Sequence, residues 1–174
     1  DENEARLLLN TCYHYKGPAS VRYPRGAGVG ASVSETLDPV TLGKGLVRRE
    51  GSRLAILAFG PLLHAALPVA EKLNATLVDM RFVKPIDAEL IKQLAASHDV
   101  FVTLEEGSVM GGAGSAVAEL MSAFGLSKPI LQLGLPDRFI DHGDQAALLK
   151  GVGLDSEGIE AAIHARFKSV LNIT

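Results

Sequence analysis

The chain carries one cysteine, Cys12, which excludes an internal disulfide framework and any zinc site built from several thiolates. A single thiol fits a reducing compartment, and a cytoplasmic setting is expected. Charge of one sign is equally scarce. The formal net charge is -3 over 174 residues, so there is no basic field for a phosphate backbone or an anionic lipid surface. Nucleic acid and membranes are not expected partners. Long uninterrupted apolar runs are missing too. The most apolar stretch, residues 54–70, is broken by Gly60, Pro61, His64 and Pro68, and reads as a buried strand turning into a helix. The first residues, Asp-Glu-Asn-Glu, have neither an initiator methionine nor the basic-then-apolar order of a signal peptide. The expectation is a chain that begins inside a longer polypeptide.

What the sequence does have is apolar bulk. Hydrophobic residues make up 47% of it, enough for the core of one ordinary domain plus part of a neighbour. From Asp1 the pattern is helical, with Ala5, Leu8, Leu9 and Cys12 on one stripe and Asp1 with Glu4 resembling a capping box. Cys12 is expected to be an inert core thiol. The helix should end near Lys16-Gly17-Pro18, and residues 19–23 read as a short strand stopped by Pro24. One helix and one strand make no core of their own, so they are expected to complete a sheet formed by other residues.

Residues 27–39, rich in Gly, Ala, Ser and Thr, read as an interdomain linker, which divides the chain into 1–26, 27–39 and 40–174. Beyond it, residues 45–49 and 54–59 are joined by Glu50-Gly51-Ser52, too short for a crossover, and are expected to pair as an antiparallel hairpin. Alternation follows: helix 62–73, strand 75–80, helix 87–96, strand 100–104, helix 112–123, strand 130–133 and two terminal helices. The near-continuous apolar strands predict an α/β fold in three α/β/α layers, with a mostly parallel sheet covered on both faces and one antiparallel edge strand.

Sheets of this kind place ligands beyond the carboxyl ends of their strands, where loop backbone and helix N-termini converge. Three such ends carry polar residues. In Tyr23-Pro24-Arg25-Gly26 the planar Arg25 guanidinium suits a pair of phosphate oxygens, and the alternative is an interdomain salt bridge. Arg22, in mid-strand, is expected to be a structural ion-pair partner. Leu104-Glu105-Glu106 followed by Gly111-Gly112-Ala113-Gly114 invites a dinucleotide reading. That reading is rejected, because the third motif position is Val117 and the acidic pair stands where a pyrophosphate would approach. Close helix-to-sheet packing accounts better for Gly112 and Gly114, and domain docking for Glu105 and Glu106. In the third segment, Asp137, Asp141 and His142 on one loop fit a cap or turn better than a metal site. His14, His64, His98 and His164 have no partner at catalytic spacing and are expected to be structural or solvated. Asp79 and Arg81 share a strand face, so an ion pair between them or with a neighbour is expected.

Taken together, four runs resemble the 1-deoxy-D-xylulose-5-phosphate synthase family, a branch of the transketolases, in order and spacing. They are residues 17–26 with Tyr-Pro-Arg-Gly, residues 77–87 with Asp79-Met80-Arg81, Thr103-Leu104-Glu105-Glu106 with its glycine-rich sequel, and Gly134-Leu135-Pro136-Asp137. The second and third runs also occur in transketolases at large and in β subunits of 2-oxoacid dehydrogenases. The resemblance implies that 1–26 ends a pyrimidine-binding domain and that 40–174 is a transketolase-type C-terminal domain. It implies condensation of pyruvate with glyceraldehyde 3-phosphate, with loss of carbon dioxide, and makes Arg25 a contact for the phosphate of the second substrate. Thiamine diphosphate and magnesium would be bound by residues outside this chain, which supplies no catalytic, cofactor or metal ligand and is inactive alone. The N-terminal part of the same enzyme and a second subunit, forming a homodimer, are the implied partners. A dehydrogenase β-subunit-like domain and a non-catalytic docking or dimerisation module are the alternatives.

Overall fold

A computed structural model describes residues 1–172 of the chain. The elements, in order, are α1 (Glu2–His14), β1 (Leu46–Arg49), β2 (Arg53–Phe59), α2 (Leu62–Lys72), β3 (Thr76–Asp79), α3 (Ala88–Ser97), β4 (His98–Ser108), α4 (Ala113–Ala123), β5 (Ile130–Leu135), α5 (Gln145–Gly151) and α6 (Ser156–Leu171). The five-stranded sheet runs β1-β3-β2-β4-β5, with β1 antiparallel and the other pairings parallel. The expected α/β class, the mostly parallel sheet and the antiparallel edge strand are all present.

Period-two alternation along β2 explains the three layers. Leu54, Ile56 and Ala58 face one core with Leu62, Ala66 and Val69 of α2 and Ile159, Ile163 and Phe167 of α6. Ala55, Leu57 and Phe59 face the other, with Ile91 and Leu94 of α3 and Val117 and Met121 of α4. Both faces are covered, so Leu54 to Phe59 are buried without a break.

The expected hairpin is overturned. β1 pairs with β3, Leu46 opposite Asp79, and β3 lies between β1 and β2. The connection 50–52 arches over the start of β3: Gly51 N–H donates to Thr76 Oγ1 at 3.0 Å and Ser52 N–H to Asn74 O at 2.8 Å. A Cβ on Gly51 would sit 2.3 Å from the Ala75 carbonyl carbon, so only glycine passes here. All four residues of β3 are buried, and a central strand needs ladder partners on both edges.

The N-terminal arm also departs from expectation. Residues 19–23 form no strand, because no strand lies beside them among the described residues to complete a ladder. Asp1 caps α1 by accepting from Glu4 N–H at 2.9 Å, but Glu4 does not return the bond, since its carboxylate is engaged elsewhere. Nor is the apolar stripe the buried one. Glu4 and Thr11 are buried, Leu9 is 62% exposed, and Cys12 is half-buried where a core thiol was expected. Residues 30–40 run alongside α1 in the same direction, pinned by side chains of the helix. Glu2 accepts from Gly30 N–H and Asn3 from Ser34 N–H, Arg6 and Asn10 donate to Ser34 O and Leu37 O, and Thr11 Oγ1 accepts from Val40 N–H.

Candidate functional site

Because β2, β3, β4 and β5 are parallel, their carboxyl ends gather on one side of the sheet. Polar groups from four parts of the chain meet there.

The first is Glu105, 5% exposed, whose carboxylate accepts from Ala113 N–H at 2.9 Å and Gly114 N–H at 2.8 Å. The N-cap residue of α4, Gly112, offers no side-chain acceptor, so the strand supplies one to the helix start. Gly114 lets the two approach: a Cβ there would lie 2.4 Å from Thr103 Oγ1. The expected close packing at Gly112 and Gly114 is thus observed. The docking role expected of Glu105 is corrected to that of an internal cap, a role invisible to spacing because donor and acceptor belong to different elements. Its carboxylate fills the anion position at the helix start, and neither a dinucleotide nor a diphosphate fits there.

Glu106, the next residue of β4, is half-buried. Burial raises its pKa above the ordinary glutamate value, and the neighbouring Gln145 amide offsets part of that rise. Gln145 opens α5, and its Oε1 would lie 3.0 Å from a Cβ on Gly26. Residues 22–26 therefore pass directly over the carboxyl end of the sheet. Arg22 lines a cleft of about 270 Å³ with Val83, Gly111, Ala113, Ser115 and Glu119. Arg25 lies in an exposed bend between that cleft and the Gln145 contact. Neither arginine belongs to an ordered strand, so the expected mid-strand ion pair of Arg22 is replaced by a place at the cleft wall.

The ion pairing expected of Asp79 and Arg81, with each other or with a neighbour, is made with neighbours. Asp79 Oδ2 meets Arg48 Nη2 at 3.1 Å, while Asp79 Oδ1 accepts from the backbone N–H of Arg81 at 3.2 Å. The Arg81 guanidinium forks onto Glu4, with Nε to Oε2 and Nη2 to Oε1 both at 2.7 Å, and Arg48 stands 3.6 Å from the same carboxylate. Sequence reasoning missed Glu4 as an ion partner. An acid in the first turn of a helix already has an explanation as a capping residue.

Elsewhere the side chains are structural. Asp87 caps α3 through Leu90 N–H and holds Lys44 Nζ and Gly45 N–H at 3.1 Å each. Burial alone would raise its pKa, but those three hydrogen bonds outweigh it and hold the carboxyl below the ordinary aspartate value. His98 is buried on Thr76 Oγ1 at 2.7 Å and Leu94 O at 3.1 Å. Burial, assisted by the positive charge of Arg48, lowers the pKa of His64. Asp137, Asp141 and His142 are exposed, and the described residues contain no group of three or more side chains able to hold a metal. With no such donor set and the α4 start filled by Glu105, the residues present do not fit thiamine diphosphate or its magnesium.

A mostly parallel α/β/α sheet with an antiparallel edge and a polar carboxyl end defines a class, and the transketolase C-terminal domain profile matches residues 43–159. The chain belongs to the transketolase C-terminal domain family. Within it, the chain is 67% identical over 171 residues to 1-deoxy-D-xylulose-5-phosphate synthase of Bordetella avium, covering 98% of this chain and 28% of that protein. It is 69% identical over 168 residues to the enzyme of the same name from Bordetella petrii, covering 97% of this chain and 27% of that one. The chain thus spans little more than a quarter of the length of these relatives. Among solved structures, a split gene transketolase described as an inactive β4 tetramer is 37% identical, with a TM-score of 0.68 over 74% of this chain and 43% of that one.

Proposed function

We propose that the chain is the C-terminal part of a thiamine-diphosphate-dependent 1-deoxy-D-xylulose-5-phosphate synthase and that Arg25 is its contact for the phosphate of glyceraldehyde 3-phosphate. The reaction releases the carboxyl carbon of pyruvate as carbon dioxide, joins the remaining two carbons to the aldehyde carbon of glyceraldehyde 3-phosphate, and leaves a proton on the former aldehyde oxygen. In this reading residues 1–26 close a pyrimidine-binding domain, 27–39 link it, and 40–174 form the C-terminal domain. Thiamine diphosphate and magnesium are held by residues outside this chain, in a cytoplasmic homodimer.

The observation that carries the reading is the placement of residues 22–26. They cross the carboxyl end of the sheet, between the cleft at Arg22 and the Gln145 contact at Gly26, and leave Arg25 open to a ligand. A forked guanidinium recognises a phosphate by two parallel hydrogen bonds and takes no part in proton transfer. Its role is to hold the aldehyde carbon of the second substrate where the new bond forms.

In the full-length enzyme, Arg25→Ala is expected to raise KM for glyceraldehyde 3-phosphate by about 10- to 100-fold while the pyruvate half-reaction proceeds nearly as before. An unchanged KM would remove Arg25 from the site.

A further inference from the structure

The ionic cluster between α1 and the sheet has a geometry that simple packing does not require. Helices α2, α3, α4 and α6 are seated by buried apolar side chains, and such burial is non-directional. In α1 the buried residues are Glu4 and Thr11, while Leu9 and Tyr13 face outward. Glu4 and Arg81 meet through two bonds of 2.7 Å, with side chains 10% and 14% exposed. A forked pair of this kind fixes orientation as well as distance. Arg81 reaches Glu4 from a left-handed backbone, φ 56°, which a non-glycine residue adopts only where its surroundings hold it. Asp79 does so by accepting the Arg81 N–H at 3.2 Å and drawing Arg48 into the cluster at 3.1 Å.

The consequence reaches Arg25. Residues 30–40 are tied along α1 at Glu2, Asn3, Arg6, Asn10 and Thr11, so the segment carrying Arg25 is held at both ends by that helix. The path of residues 22–26 over the sheet thus starts and ends on α1. We propose that the Glu4–Arg81 fork is a latch that sets the position of Arg25 over the carboxyl end of the sheet, making both residues positioning residues for the phosphate-bearing substrate. This rests on reading Arg25 as the phosphate contact.

The test uses the full-length enzyme. Arg81→Ala and Glu4→Gln are each expected to raise KM for glyceraldehyde 3-phosphate by about 10-fold, with kcat and KM for pyruvate within about twofold. The double variant should be no worse than either single one, because the second substitution removes a contact already lost. Arg81→Lys keeps the charge without the fork and should recover only part of the affinity. Amide exchange across residues 2–14 should quicken in each variant. Unchanged exchange over α1 overturns the latch, and quicker exchange with an unchanged KM overturns the positioning role. Additive losses in the double variant overturn the direct pairing. If Arg25→Ala itself leaves KM unchanged, the phosphate reading fails, while the exchange measurement still judges the latch. Should Arg81→Ala not fold, Glu4→Gln carries the same measurements at conserved volume.

Discussion

In the sheet domain, Leu54 to Phe59 are buried against helices on both faces; in the arm formed by residues 1–40, the buried side chains of α1 are Glu4 and Thr11, and Tyr13 is 83% exposed. The first region coheres through area removed from water, which is strong and indifferent to direction. The second is placed by hydrogen bonds and ion pairs, each modest in net free energy and strict in geometry. A region that must be held in one orientation gains from the second kind of attachment. A region that must simply stay folded gains from the first.

The contrast can be broken by substitutions of graded severity. Phe101, fully buried in the centre of β4, should show the largest effect: Phe101→Ala is expected to cost about 3–5 kcal/mol in urea denaturation. A loss under about 1 kcal/mol would mean that the core is not the main source of stability. Asp87 lies between the extremes, a polar group inside the apolar domain. Asp87→Ala should cost about 1–3 kcal/mol near neutral pH, since it removes the α3 cap together with acceptors for Lys44 and Gly45. The sign of its pH dependence follows from the lowered pKa. The folded carboxyl stays ionised below the unfolded value of about 3.8, so its contribution is present above that value and lost as pH falls through the lower folded one. Denaturation curves of wild type and Asp87→Ala should converge in that acid range, and a constant gap would contradict the assignment. Smallest of all, Asn10→Ala should change global stability by no more than about 0.5 kcal/mol, yet speed proteolysis within residues 27–39 by loosening Leu37. Equal protection in both forms would show that the arm is held by something other than its polar ties.

Much of the sheet domain was legible because its signals are local. Continuous apolar runs marked β2 and β4, Asp87 marked the start of α3, and Gly112 and Gly114 marked a close approach of helix to sheet. The strand order was not legible at β1. A three-residue connection reads as a hairpin, and only the demand of buried β3 for two neighbours sends it across to the far edge. In the site, Arg25 stood out from the shape of its motif, whereas Glu105 as the α4 cap and Glu4 as the partner of Arg81 did not. Each pairs with a group from another element, 8 and 77 residues away in sequence, and spacing carries no information at such range.

By itself the sequence determined the class of fold and the family and singled out Arg25 as the proposed phosphate contact, because composition, periodicity and motif are properties of neighbours along the chain. The tertiary structure alone decided which strand lies at the edge, which face of α1 turns inward, and which partners Glu4 and Arg81 find. Those depend on unpaired strand edges and buried charges finding partners, and such partners are chosen in space.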